Sequence, residues 1–226
     1  MTQLQQKFQL LESLLWEPES GYFLLDRHLQ RLEKSAKYFK FSISLNAINQ
    51  ALQALSFTFG SVKQKVRLTI SIDGQITLES QTLDPGILKN GALVGIAREP
   101  IDKEQPLFYH KTTYRSAYKL ALDSQPKYQD VLLWNQEGFM TESTITNIVI
   151  DTPTGKITPP VNCGLLPGTF RAQLLAEKKI REELISLDDL RNTQTIFLIN
   201  SVRRWIKIKK EINQDIWQVV SNNTPQ

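Results

Sequence analysis

Residues 44–78 read SLNAINQALQALSFTFGSVKQKVRLTISIDGQITL, and the period of the apolar positions changes within them. Ser44 precedes Leu45, Ile48, Leu52 and Leu55, whose spacings of three and four put them on one helical face behind a side-chain cap. From Val66 the spacing becomes two. Val66, Leu68, Ile70 and Ile72 alternate, Asp73-Gly74 turns the chain, and Ile76 and Leu78 alternate again, the sequence form of a β-hairpin. A helix feeding an antiparallel pair points to an α+β fold, in which helices cover a sheet of hairpins.

Working towards the N-terminus, Gln3–Trp16 is strand-forming, Pro18, Ser20 and Gly21 make a turn, and Tyr22–Leu25 returns, so a first hairpin is expected there. Asp26 reads as the cap of a helix carrying Leu25, Leu29, Leu32, Ala36 and Phe39 on one face and Arg27, Gln30, Lys34 and Lys37 on the other. Towards the C-terminus, a strand fits Ala92–Ile96 and a short helix follows Arg115. Strands are expected at Val131–Trp134 and Ile145–Ile150, with a turn from Asn135 to Gly138 between them. Pro159, Pro160 and Gly164 mark a loop before a helix at Gly168–Lys178. Ile180–Leu190 reads as a second amphipathic piece, Thr195–Ile199 as a buried strand, and 205–208 and 216–220 as closing strands. The change of character near 84–105 divides the chain into a small α+β subdomain, 1–90, and a larger, mostly β subdomain with flanking helices, 91–226.

Composition narrows the function. The chain has 226 residues, 41% of them apolar and 22% charged, enough to bury one or two cores and ordinary for a globular protein. No run approaches the roughly 18 to 20 apolar residues of a membrane span, so no membrane partner is expected. The single cysteine, Cys163, and a polar, acidic N-terminal stretch point to a reducing cytoplasm. His28 and His110 have no cysteine cluster between them, which leaves nothing resembling a zinc site, and no metal is expected. A net charge of +4 is concentrated in Arg203–Lys210, which fits either nucleic-acid contact or an edge strand with charged outer positions. No nucleic-acid motif accompanies it, which favours the strand. There is also no G-x-G-x-x-G, Walker A, H-E-x-x-H or G-x-S-x-G pattern.

Five features carry possible chemistry. Lys111 lies among aromatic and hydroxyl residues in YHKTTYR; it is either a solvated loop lysine or one desolvated enough to supply a neutral amine for imine formation. Glu142, in GFMTESTITNIVI, is either a surface acid or a buried one that needs a cationic or protonated partner. Pro167-Gly168 opens a helix at Thr169 and Phe170, and a helix start of that kind is either ordinary or a phosphate site. Arg31 lies between core positions Leu29 and Leu32, an enclosed place that implies an anion. Asn200, Ser201 and Arg203 directly follow a buried strand, where polar side chains often face a site. An amine, a carboxylate, an arginine, a hydroxyl and a helix start are together the needs of a pyridoxal phosphate pocket.

The stretches FLLDRHLQRLEKSAKYFKF, YHKTTYR, LLWNQEGFMTESTITNIVI, TPPVNCGLLPGTFR and FLINSVRRW stand in the order and spacing of the class IV aminotransferases, the fold-type IV pyridoxal phosphate enzymes, and the resemblance runs from about Phe8 to Trp205. Within that family the chain most resembles the lyases that act on 4-amino-4-deoxychorismate. The resemblance implies a two-subdomain, D-amino-acid-aminotransferase-like architecture with bound pyridoxal 5'-phosphate. It implies that Lys111 forms the Schiff base and Glu142 pairs with the pyridine nitrogen. Arg31, the backbone of Thr169 and Phe170, and Ser201 would hold the phosphate, and Asn147 matches a family asparagine taken as mainly structural. Arg115 and Arg203 are the candidates for substrate carboxylates. It further implies a homodimer acting on a small amino substrate, with aminodeoxychorismate synthase as a possible partner. The expected reaction yields 4-aminobenzoate and pyruvate, the alternative being amino-acid transamination in the same pocket. Two positions depart from the lyase pattern: Tyr114 replaces a usual asparagine, and Arg204 replaces the glycine of N-S-x-R-G.

Overall fold

The computed structural model describes residues 8–84 and 91–208. The chain forms two compact units. One comprises the described residues up to Asp84 together with His110–Tyr114, and the other the described residues from Gly91 to Tyr109 and from Arg115 onward. The fold is α+β, as expected from the sequence.

In the first unit, β1 (Leu10–Glu17), β2 (Gly21–Tyr22), β3 (Gln64–Ile70) and β4 (Ile76–Thr82) make an antiparallel sheet in the order β2-β1-β3-β4. Its register, Leu10 opposite Ile70 and Leu14 opposite Val66, aligns the inward residues of β1 and β3. α1 (Leu25–Phe39) and α2 (Leu45–Ser56) add the buried Leu29, Leu32, Ala36, Phe39, Ile48 and Leu52. Ser44 caps α2 as expected, its hydroxyl accepting from the Ala47 amide at 3.3 Å. Asp26 does not cap α1. The cap position is Leu24, whose backbone is left-handed (φ 56°), and Asp26 lies in the first turn, where its charge favours the positive helix end. The expected strand from Gln3 begins at Leu10; residues 1–7 lie outside the described part.

His110–Tyr114 belongs to this unit because its backbone runs along the start of β1. Leu11 donates its amide to the Lys111 carbonyl at 3.0 Å, Leu10 bridges Thr112, and Thr113 donates to the Gln9 carbonyl at 2.9 Å. That pairing sets Lys111 in a fixed frame beside Glu12.

The second unit is built on β5 (Val94–Ile96), β6 (Asp130–Trp134), β7 (Met140–Ser143), β8 (Asn147–Thr152), β9 (Gly155–Thr158), β10 (Arg181–Glu182), β11 (Ile196–Asn200) and β12 (Arg204–Lys207). One edge of β8 carries β11; the other carries β7 at Asn147 and β9 from Ile150 onward. The sequence reading missed β7 and β9 and placed only one strand, Ile145–Ile150, after the 135–138 turn. Two strands occupy that stretch because Ser143, Thr144 and Thr146 turn the chain, with the Ser143 hydroxyl accepting the Thr146 amide at 3.0 Å. The Ile180–Leu190 piece is also different: Arg181–Glu182 pairs in parallel with β9, and the helix α5 is only Leu187–Asn192. A box of Ser186 and Asp189, each bonded to the other's backbone, starts the helix there. Between these elements lie α3 (Ser116–Asp123) and α4 (Thr169–Ala176).

The basic stretch forms an edge strand, since β12 pairs only with β11 among the described residues. Trp205 on β12 packs edge-on against Phe170 and Phe197. Arg204 has a left-handed backbone at φ 59°, a conformation that suits the glycine found there in the lyase pattern. The strand expected at 216–220 lies outside the described residues. No described helix is long and apolar enough to cross a membrane.

The core of this unit centres on Trp134, which is fully buried and donates its indole N–H to the Ala97 carbonyl at 2.9 Å. Beside it, Gly95 meets the face of Tyr128 so closely that a Cβ would lie 2.5 Å from the ring. Gly95→Ala should therefore destabilise the protein by about 1–3 kcal/mol through overpacking, read as a lower urea midpoint with an unchanged slope.

Candidate active site

A buried acid in a strand costs free energy unless donors surround it, and the described residues contain three, Glu12, Asp130 and Glu142. In the first unit it is Glu12, whose neighbours Leu10 and Leu14 on the same face of β1 are core residues. Glu12 is 1% exposed and accepts from His28 Nδ1 at 2.6 Å and from Arg31 in bidentate fashion, Nε at 2.9 Å and Nη2 at 2.6 Å. His28 and Arg31 are three apart on α1 and so face the same strand. Burial alone would raise the Glu12 carboxyl, but Arg31 and His28 override it and hold the group down at about 2. His28 goes the other way. Burial lowers it, the Glu12 charge and hydrogen bond raise it, and the charges of Arg31 and Lys111 lower it, with a net result below its ordinary value. Lys111, half-buried, follows His110 in the segment whose backbone pairs with Leu10 and Leu11.

The residue before it, His110, is held by Ser35 at 2.9 Å and lies against the rings of Tyr38 and Phe39. Burial lowers its pKa.

In the second unit Glu142, on β7, is 4% exposed. Of the two readings open in the sequence, burial is the one observed. Oε1 accepts from the Tyr118 hydroxyl at 2.8 Å, and Oε2 accepts from the Asn147 amide at 3.3 Å. Asn147 lies opposite Glu142 in the β7–β8 register and opposite Ile199 of β11, so three strand ends converge on it. Its amide also donates to the Leu166 carbonyl at 2.9 Å. A Cβ on Gly168 would stand 2.0 Å from the Asn147 amide oxygen, so the loop before α4 can lie this close only as glycine.

Thr169 and Phe170 therefore begin α4 beside Asn147, and no side chain caps the helix at Gly168. Ser201, buried, follows the strand that pairs with Asn147, and Asn200 accepts the Val202 and Arg203 amides at 3.0 and 2.8 Å. Arg203 is half-buried in that turn. Arg115 stands over the Tyr118 ring at 4.0 Å and donates to the Thr144 carbonyl. The neighbouring Tyr114 is half-buried, and its amide donates to Thr112 in the first unit.

The second unit thus gathers Glu142, Thr169, Phe170, Ser201 and Arg115 around the β7–β8 turn, and the first unit gathers Arg31 and Lys111 around Glu12. Glu12, His28 and Tyr118 were not singled out from the sequence. Glu12 was legible as an acid interrupting LLESLLW at an inward position; Tyr118 carries no such signal, because a tyrosine on a short helix is ordinary. Asp130 was missed too. It is fully buried, accepts from Thr144 N and Oγ1 at 3.0 and 2.5 Å, and so fixes the turn that carries Glu142. Burial raises its pKa, which favours the neutral acid.

These residues fit an anionic, aromatic cofactor. A buried carboxylate suits a ring nitrogen that carries a proton, and a helix opening at glycine with no side-chain cap suits phosphate.

A protein of Schizosaccharomyces pombe named "Putative aminodeoxychorismate lyase" is 35% identical to the chain over 88% of it and 87% of that protein. The crystal structure of a Mesorhizobium loti protein named as a putative amino-acid aminotransferase is 32% identical, covers 91% of the chain and 100% of its own, and superposes with a TM-score of 0.83. A hypothetical aminotransferase of Mycobacterium tuberculosis in its PLP-bound form has the same fold, with a TM-score of 0.76 at 18% identity over 96% of this chain and 88% of its own. The sequence model of the family described as Amino-transferase class IV matches residues 9–210, taking in β1, the Lys111 segment, Glu142 and the turn after β11, so the chain belongs to the class IV aminotransferases, a family of enzymes that use pyridoxal phosphate.

Proposed function

We propose that the protein is a pyridoxal phosphate-dependent lyase that converts 4-amino-4-deoxychorismate into 4-aminobenzoate and pyruvate. The observation that carries this reading is the likeness to the fission-yeast protein of that name, 35% identical across 88% of the chain. The support from the chain itself is a framed lysine, Lys111, in one unit and a buried, hydrogen-bonded glutamate, Glu142, in the other. When bound, the cofactor supplies an electron sink for the carbon attached to the substrate nitrogen.

The residues do the rest. With the cofactor bound, Lys111 would hold it through its aldehyde carbon and would be the base that takes the proton from the substrate carbon bearing the nitrogen. Glu142 keeps the ring nitrogen protonated. Arg31, Ser201 and the α4 start at Thr169 and Phe170 hold the phosphate, and Glu12 holds Arg31 in place with both of its oxygens. Arg115 and Arg203 face the substrate carboxylates. Loss of the substrate's enolpyruvyl ether oxygen releases pyruvate and leaves an aromatic ring. Atoms balance without water, oxidant or a second substrate.

A second reading is an amino-acid aminotransferase, favoured by the Mesorhizobium loti structure at 32% identity. Both begin with the same proton removal by Lys111; a transaminase then needs a keto acid to complete its cycle. Purified protein incubated with aminodeoxychorismate alone should release pyruvate stoichiometrically with 4-aminobenzoate, whereas dependence on added keto acid would establish the transaminase. The holoenzyme should be yellow, and Lys111→Ala should remove the visible band and at least 1000-fold of the rate, roughly the worth of a nucleophile and base combined.

The Glu12 cluster sets an acid limit. Glu12 sits at about 2 in the folded protein against an ordinary 4.5, so the stability it adds is complete above pH 4.5 and disappears as pH falls towards 2. The size is roughly 3 kcal/mol. His28, lowered from 6.5 by burial, adds a penalty that begins as pH drops below 6.5, because the unfolded chain takes up that proton first. Glu12→Gln should therefore flatten the urea-midpoint profile between pH 4.5 and 2, and weaken cofactor affinity at pH 7.5 about tenfold by releasing Arg31, measured by fluorescence titration.

A further inference from the structure

We propose that Tyr118 is a positioning residue for Glu142, holding the carboxylate in its ionised form and thereby keeping the shared proton on the cofactor's ring nitrogen. This rests on the assignment of Glu142 to that nitrogen made above. The hydroxyl lies 2.8 Å from Glu142 Oε1, the shorter of the contacts described for the carboxylate, since the Asn147 amide reaches Oε2 at 3.3 Å. Both side chains are buried, so water does not compete for the bond. Burial and the Glu142 charge push the Tyr118 phenol well above its ordinary 10, and the hydroxyl keeps its hydrogen and acts as the donor.

The ring that carries this hydroxyl cannot wander. Phe108 meets it edge-on with centroids 5.5 Å apart, and the Arg115 guanidinium covers it at 4.0 Å. Arg115 is anchored in turn by the Thr144 carbonyl, in the same β7–β8 turn that follows Glu142. The second unit therefore contains a closed chain, Glu142 to Tyr118 to Arg115 to Thr144, that returns to within two residues of its start. This also gives Arg115 a defined task besides any contact with substrate.

A carboxylate and a pyridine nitrogen in contact share one proton, and relative proton affinity decides its place. A donor on the carboxylate lowers its affinity and leaves the proton on nitrogen, where it strengthens the electron sink. Without the phenol, a buried carboxylate with one donor fewer draws the proton back.

The test uses holoenzyme loaded with pyridoxal phosphate labelled with 15N in the ring, comparing wild type, Tyr118→Phe, Glu142→Gln, the double variant and Phe108→Leu. Tyr118→Phe should move the ring-nitrogen resonance towards the unprotonated position, and should lower kcat roughly tenfold to a hundredfold with KM within about twofold. Its apo-protein should melt within a few degrees of wild type, because the packed ring remains. The double variant should match Glu142→Gln alone. Phe108→Leu should lower the melting temperature and leave the ring resonance as in wild type. A wild-type resonance in Tyr118→Phe, or an equal shift in Phe108→Leu, would overturn the role of Tyr118 alone. No cofactor uptake by wild type, or a ring resonance indifferent to Glu142→Gln, would overturn the assignment of Glu142 and this proposal with it.

Discussion

A carboxylate removed from water must be met by donors, and the architecture of both units follows from that requirement. Glu12 is met by two charged or polar side chains from one helix, and Glu142 by a phenol and an amide. The difference matters. Arginine donating to both Glu12 oxygens neutralises the acid and fixes its own guanidinium, so the pair is a mounting for Arg31. The donors described at Glu142 are a phenol and an amide, neither of which carries a charge. Glu12 thus serves as a bracket for Arg31, and Glu142, in the proposed function, as the partner of the ring nitrogen.

Asn147 extends the constraint from a side chain to the backbone. Its amide nitrogen is divided between Glu142 and the Leu166 carbonyl, and its oxygen occupies the space that a side chain at 168 would need. The strand that carries the acid and the loop that opens α4 are therefore set by one residue. Trp205 acts from the other side, packing on Phe170 at the first turn of that helix. Asparagine at 147 is thus more than a filler in the sheet, since it fixes the spacing between a carboxylate and a helix start.

Much of this was legible in the sequence because the signals were local. Period-three and period-two spacings gave α1, α2, β3 and β4, and Ser44 gave a helix start, since each depends on residues within one turn. The ordered motifs brought Lys111, Glu142 and the Gly168 turn to notice. What failed had a shared physical cause: the deciding contact lay elsewhere in the chain. The Leu24 backbone, not Asp26, starts α1, in a chain whose previous residue, Phe23, pairs back onto Leu15. Arg181 and Glu182 became a strand because β9 offered an edge, overriding an amphipathic pattern. Tyr118 was invisible for the same reason, since its partner is 24 positions away.

The same locality explains how relatives with two different names can share one site. Proton removal by a lysine, a protonated ring nitrogen and a held phosphate serve elimination and transamination equally, so residues devoted to them carry no mark of the outcome. The outcome depends on the substrate. A carbanion formed next to a carbon that bears a good leaving oxygen expels it, and when the product is aromatic that path outruns reprotonation. An ordinary amino acid offers no such group, so its carbanion is reprotonated and the nitrogen is transferred. Selection between the two is thus a matter of which carboxylates and ring the entrance admits, and the two departures from the lyase pattern bear on it unequally. Arg204 occupies a left-handed backbone position at an edge strand, a role in the path of the chain, whereas Tyr114 comes three residues after Lys111 in the sequence. A phenol in place of an amide there changes the shape and hydrogen bonding of a side chain, a change of chemistry rather than of chain path.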